Sequence, residues 1–425
     1  MKSSVLILLT LFSINMVAQD VHLHCGKIID TENGEILTQK TIVVSGKKIT
    51  SIIDGYTAIS NTDDTSIDLK SSTVMPGLID LHVHMESEYS PKKYMEQFTA
   101  NEADVAFKSV NYARMTLMAG FTTVRDLGGS GVNIALRNAI NQGHIVGPRI
   151  FTAGKAIATT GGHADPTNGM KKLLMGDPGP EQGVINGLDD ARKAVRQRYK
   201  NGADNIKITA TGGVLSVAKN GQNPQFTLEE VQAICATAKD YGMIIAAHAH
   251  GDEGMQRAVI GGVTTIEHGT KMSTKTMDLM KQYGTYLVPT ITAGKAVADN
   301  AKIKDFYPEI IVPKALEIGP KIQNTFAKAY KRGVNIAFGT DAGVFPHGLN
   351  AKEFGYMVEV GMPPMAALQS ATLTNAKVLG LSNELGQLKA GYLADIVATS
   401  DDPTTNIATL EHITFVMKEG VVYKN

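Results

Sequence analysis

Residues 75–84 read MPGLIDLHVH, and the architecture turns on how this stretch ends. Leu78, Ile79 and Leu81 give it the apolar character of a barrel strand, opened by Pro76 and Gly77 and closed by His82 and His84. Strand side chains alternate between faces, so the two histidines point the same way and can grip one ion. An isolated HxH pair could equally be two packing histidines. The rest of the chain decides between these readings.

Seven further strand-like runs follow, with helical sequence between them: TTVRDLG (122–128), RIFTAG (149–154), NIKITATGG (205–213), MIIAAHAHG (243–251), TTIEHGT (264–270), TYLVPTIT (285–292) and NIAFGTDAG (335–343). Eight such runs alternating with helices predict an α/β fold, a (β/α)8 barrel over 75–380. One linking helix carries its own punctuation in TLEEVQAICATAKDYG (227–242). There Thr227 and Glu230 have the capping-box spacing and Gly242 sits at the expected stop. Residues 19–74 and 381–425 have a different texture, with short β-like runs divided by Gly, Asn and Asp, antiparallel in style. Either half alone would leave exposed edges, so the two are expected to close one small composite β-sandwich domain formed by both termini. The segments from His163 to about Leu188 and from Ala293 to about Pro320 are too long for plain connections. In a barrel such loops cover the active-site mouth.

The first 20 residues, MKSSVLILLTLFSINMVAQD, place Lys2 before an apolar run from Val5 to Ile14 and the small Ala18, the layout of a secretory signal peptide over 1–18. The run is too short to span a bilayer. The mature protein is therefore expected to be exported, periplasmic or secreted, with no membrane anchor after cleavage. With 425 residues and 43% apolar content, the chain can bury a large core. Its 41 basic and 41 acidic residues cancel, and no dense basic tract occurs, which argues against nucleic acid and for a small-molecule substrate. Cys25 and Cys235 are too few and too far apart for a disulfide framework. Cys235 falls on a helical face with Leu228, Val231 and Ile234 and is expected to pack.

Further ligand types fall at the ends of predicted strands: His248, His268 and Asp341. In a barrel all these ends face one mouth. Imidazoles with a carboxylate suit zinc first, with iron, nickel or manganese behind it. Lys207 is the odd residue, a lysine inside the apolar run NIKIT. Buried beside cations, such an amine loses its proton more readily and can react with carbon dioxide to give a carbamate. The plainer reading is an ammonium that binds substrate directly.

The HVH pair, the strand lysine, HAHG, EHG and GTDAG, following MPGLID in this order, resemble the amidohydrolase superfamily with a binuclear metal centre. GQLKAGYLADIVA resembles that family's return into its β-domain, so the likeness covers essentially the whole mature chain. TTVRDLGG, the GGH loop, IKITATGG and IEHGT are most similar to the Xaa-Pro and Xaa-Arg/Lys dipeptidases, which also resemble imidazolonepropionases. The resemblance implies two divalent ions, zinc foremost, with His82, His84 and Asp341 on the first, His248 and His268 on the second, and Lys207 between them as a carbamate formed from CO2. It implies an amide or peptide bond of a dipeptide or N-acyl amino acid attacked by a metal-bridging hydroxide. Asp341 would take the proton from water and deliver it to the leaving amine. His163 would meet the substrate carbonyl, unless it is merely structural. His250 stands where some relatives carry a Tyr that contacts the substrate carboxylate. Arg125 is a candidate carboxylate clamp, with an ion pair to adjacent Asp126 as the equal alternative. Family members are often homo-oligomers. Two other readings stay open: a cyclic-amide hydrolase of the imidazolonepropionase kind or a deaminase of the same superfamily, and a catalytically silent exported binding protein.

Overall fold

The structure is a computed structural model and describes residues 19–59, 61–218 and 220–425; the expected signal segment at 1–18 lies outside them. Eight runs close into the barrel. Leu78–Val83, Phe121–Asp126 and Arg149–Thr152 pair in parallel as one set. Ile206–Thr209, Ile245–Ala249, Thr265–His268 and Tyr286–Val288 pair in parallel as the other. The sets join through Ile157, bridged to Ile208, and through residues 335–342, where Ile336 bridges Leu287 and Ala342 bridges Val83. Closure leaves no free sheet edge, and every one of the eight runs read from the sequence takes part.

The two ends of the chain build one seven-stranded sheet, ordered Val421–Lys424, Phe415–Lys418, Ile396–Thr399, Thr65–Pro76, Asp20–Asp30, Glu35–Ser45, Lys48–Asp54. The seam between the ends is the antiparallel pairing of Thr65–Pro76 with Ile396–Thr399, Val74 facing Ala398. Leu23, Ile42, Val74, Ile396 and Phe415 share one apolar core, which is why neither end is complete alone. One detail departs from the antiparallel texture of the sequence: Asp20–Asp30 and Thr65–Pro76 run parallel, because two intervening strands carry the chain back to its starting side.

Helix Leu228–Asp240 begins as its sequence dictates. Glu230 N donates to Thr227 Oγ1 at 3.2 Å and Thr227 N to Glu230 Oε2 at 2.9 Å, and Gly242 stops the helix at φ +67°. Cys235 packs in the barrel core and Cys25 in the terminal sheet, both as free thiols. Among the described residues no helix is long and apolar enough to cross a membrane.

The segment after the seventh strand is not an irregular loop. It forms two helices, Ile291–Asn300 and Val312–Lys331, the second tolerating an exposed Pro320 in its interior. They touch through glycines: a Cβ on Gly319 would lie 2.5 Å from the Gly294 carbonyl oxygen, and one on Gly294 would lie 2.6 Å from Ile322. Only bare backbones permit that approach.

Candidate active site

The mouth of the barrel holds a cavity of about 600 Å3 whose floor carries His82, His84, Lys207, His248, His268 and Asp341. His82 and His84 lie on one face of the first strand, as alternation requires. Their Nε2 atoms stand 3.4 and 3.1 Å from Asp341 Oδ1. Asp341 is delivered from the eighth strand, its N–H donating to His82 O at 2.7 Å and the His84 N–H to Ala342 O at 2.8 Å.

The sixth strand shows how local strain builds the site. His248 and Glu267 are register partners and share a face, so regular alternation would turn His268 away. His268 instead adopts φ +71° and turns inward, its ring centroid 5.1 Å from that of His82. Thr290 (φ +53°) and Asp341 (φ +63°) break alternation likewise at the next two strand ends. Non-glycine residues in this region cost roughly 1–3 kcal/mol each and concentrate at functional sites. Thr290 Oγ1 lies 2.7 Å from His268 Nδ1 and fixes that ring.

Donor atoms of His248, His250 and His268 lie within 4.8 Å of one another, as do those of His82, His268 and Asp341. Asp341 Oδ1 is buried without a hydrogen-bond partner. An orphaned carboxylate oxygen amid imidazoles fits a cation, because leaving such an atom unpaired is otherwise costly. Burial lowers His82 to about 4 and His250 to about 3, so both rings are neutral and able to ligate near neutral pH. It also brings Lys207 down to about 8. Burial alone would raise Asp341, but His82, His84 and Lys207 outweigh it and hold the carboxylate below its ordinary range.

His163 enters the cavity from the long loop, with its ring stacked on His248 at 4.3 Å and Nδ1 buried and unpartnered. Gly213 makes room for it, since any Cβ there would lie 2.2 Å from the imidazole. His250 donates to or accepts from Thr270 Oγ1 through Nδ1 at 2.9 Å, and it stands as close to His248 and His268 as a ligand would.

Arg125 does not reach the cavity. Its side chain is fully buried, with Nε donating to Leu81 O at 2.7 Å and Nη2 to Glu267 Oε1 at 2.9 Å. The carboxylate-clamp expectation is therefore corrected, and so is the alternative pairing with Asp126. Asp126 instead accepts from Met85 N and Asn133 Nδ2, turned away on the neighbouring strand face.

Two residues with no role in the sequence reading prove important. Glu267 bonds His82 Nδ1 through Oε2 at 2.8 Å, and Arg125 foremost, overcoming burial, holds it down at about 2. Its signal was present, an acid inside the apolar run TTIEHGT, the same anomaly that marked Lys207. Asp80 underlies both ligand strands, accepting from His82 N at 3.0 Å and from Thr340 Oγ1 at 2.6 Å.

The amidohydrolase family profile matches residues 73–424, and the chain belongs to that family. It is a hydrolase acting on carbon–nitrogen bonds. Its similarities include the crystal structure of a Xaa-Pro dipeptidase with bound methionine in the active site (52% identity, TM-score 0.93, 96% of this chain and 100% of that one). It is also similar to ochratoxinase of Aspergillus niger, 31% identical over 95% of this chain and 86% of that one. An imidazolonepropionase of Fusobacterium nucleatum is 23% identical over 91% of each chain. The family reading made from HVH, HAHG, EHG and GTDAG is thus borne out.

Proposed function

We propose that this amidohydrolase cleaves the amide bond of a dipeptide or N-acyl amino acid bearing a free carboxylate. The observation that carries it is the buried, unpartnered Asp341 Oδ1 at the meeting point of histidines from three different strands. His82, His84 and Asp341 would hold one divalent ion and His248 and His268 a second, with Lys207, as a carbamate, shared between them. Such a pair lowers the pKa of a water and polarises the scissile carbonyl.

The chain's own residues then divide the work of hydrolysis. Asp341 accepts the proton that water gives up as its oxygen bonds the carbonyl carbon, and returns a proton to the leaving nitrogen as the carbon–nitrogen bond breaks. His163, through its unpartnered Nδ1, meets the carbonyl oxygen as charge develops there. His250 faces the substrate side. The likeness to a Xaa-Pro dipeptidase supports the dipeptide class. The same reading takes the enzyme as exported, on the strength of residues 1–18 alone.

The test is kcat/KM for a dipeptide, its C-terminal amide and a tetrapeptide with the same scissile bond. A site built around one carboxylate should favour the dipeptide by at least about a hundredfold. Comparable values for all three would defeat the proposal, and activity confined to a cyclic amide would favour the imidazolonepropionase-like reading instead.

A further inference from the structure

With Arg125 buried among the barrel strands against Leu81 and Glu267, the carboxylate that the proposed substrate carries needs another cationic partner. Among the described residues, the cavity wall supplies two lysines outside the histidine cluster, Lys93 and Lys155, and Asp341 is its one carboxylate. Among the described residues neither lysine ammonium makes an ion pair or hydrogen bond. Half-buried cations on the wall of a concave site attract an anionic group and repel a basic one.

The two lysines are not equivalent. Lys93 opens the short helix Lys93–Thr99, and the charges of Glu96 and Glu86 act on it. Lys155 follows the third barrel strand, and its main chain is held on both sides. Arg198 Nε donates to Lys155 O at 2.7 Å, and two residues later Ile157 N donates to Lys207 O at 2.8 Å. The side chain thus springs from a rigid backbone next to the strand that carries Lys207. A preorganised cation binds an anion with less ordering cost than one on a loose turn.

The apolar part of the lining is of opposite character. Val214, Leu215, Val297, Ile318, Ile322 and Val344 form it, contributed by the two cover helices and the loops beside them. Gly294 and Gly319 lie on the same wall, so the close helix approach they permit sets its position. A charged guanidinium or ammonium placed there would lose its hydration with no carboxylate to replace it.

We propose that Lys155 is the carboxylate-reading residue, and that the substrate is an amide of an uncharged amino acid with a bulky apolar group against the Val297–Ile318–Ile322 wall, basic side chains being rejected. This inference rests on the proposed amide hydrolysis and assigns its specificity.

The metal-loaded enzyme and its Lys155→Gln, Lys155→Arg and Lys93→Gln variants would be compared on an apolar dipeptide, the same dipeptide as its C-terminal amide, and one carrying Arg. Lys155→Gln is expected to raise KM for the free acid by about 10- to 100-fold, the loss of one charge-assisted hydrogen bond. Metal content and thermal midpoint should stay at wild-type values, the preference for acid over amide should fall toward unity, and Lys155→Arg should recover most of the loss. Equal loss on acid and amide, a wild-type KM, or a larger acid-specific loss in Lys93→Gln would each overturn the assignment, as would ready cleavage of the Arg dipeptide. Calorimetric binding of L-leucine against L-leucinamide gives a readout independent of turnover. Failure to hydrolyse any amide would count against the proposed function, while leucine binding unchanged by Lys155→Gln would count against Lys155.

Discussion

Glu267 holds His82 and Arg125 at once, with Oε2 2.8 Å from His82 Nδ1 and Oε1 2.9 Å from Arg125 Nη2, all three side chains buried. The carboxylate fixes which histidine nitrogen faces the cavity, and the guanidinium keeps the carboxylate charged. Glu267→Gln should therefore weaken metal affinity by about 10- to 100-fold, the usual effect of losing a partner behind a ligand. Competition with a graded series of chelators measures this, and an unchanged affinity would remove Glu267 from the centre. Arg125→Met leaves the Glu267 charge buried and unpaired and should cost about 3–5 kcal/mol of stability. Denaturant unfolding reads that loss.

Lys207→Ala and Asp341→Asn should differ in kind. Without the shared bridge each half of the proposed centre keeps too few donors, so Lys207→Ala is expected to lose two-ion occupancy together with turnover. Asp341→Asn keeps an oxygen donor but cannot carry a proton. Part of the metal should remain while kcat falls at least about a hundredfold, the lower range for a general acid–base group. Metal analysis beside steady-state kinetics separates the two. Full occupancy with near-normal turnover in the alanine variant would falsify the bridging role of Lys207.

A pH effect on stability follows from Glu353. Its carboxyl caps the start of helix Ile291–Asn300, accepting from Ile291 N and Thr292 N at 2.7 Å each, and burial pushes it up to about 8 despite these bonds. A carboxyl raised on folding keeps its proton in the folded state while the unfolded chain releases it. Its contribution is therefore full below the ordinary Glu range of about 4.3 and is lost as pH rises toward 8. Glu353→Gln should flatten the fall of the thermal midpoint across that window. Identical slopes for wild type and variant would show that Glu353 does not titrate there.

The residues legible in the sequence were those whose type clashes with their surroundings. His82, His84, Lys207 and Asp341 stand out because each polar group ends or interrupts an apolar strand. Relationships between distant residues were not legible. The Arg125 side chain pairs 142 positions away, and nothing in VRD distinguishes that partner from Asp126. The cover helix Ile291–Asn300 depends on a cap 61 or 62 positions downstream, so its start carries no local signal. His268 was placed at its strand end by motif, but the inward turn that makes it useful arises from a left-handed backbone that its residue type does not announce.

The seam between Thr65–Pro76 and Ile396–Thr399 has a consequence for the order of events during biosynthesis. Strands made in the first fifth of the chain wait for partners that leave the ribosome last, and until then Thr65–Pro76 offers an open edge. Vectorial synthesis can complete barrel units one after another, but it cannot finish the terminal sheet before release. A nascent or prematurely terminated chain lacking 396–424 would carry a ready-made template for wrong pairing at that edge.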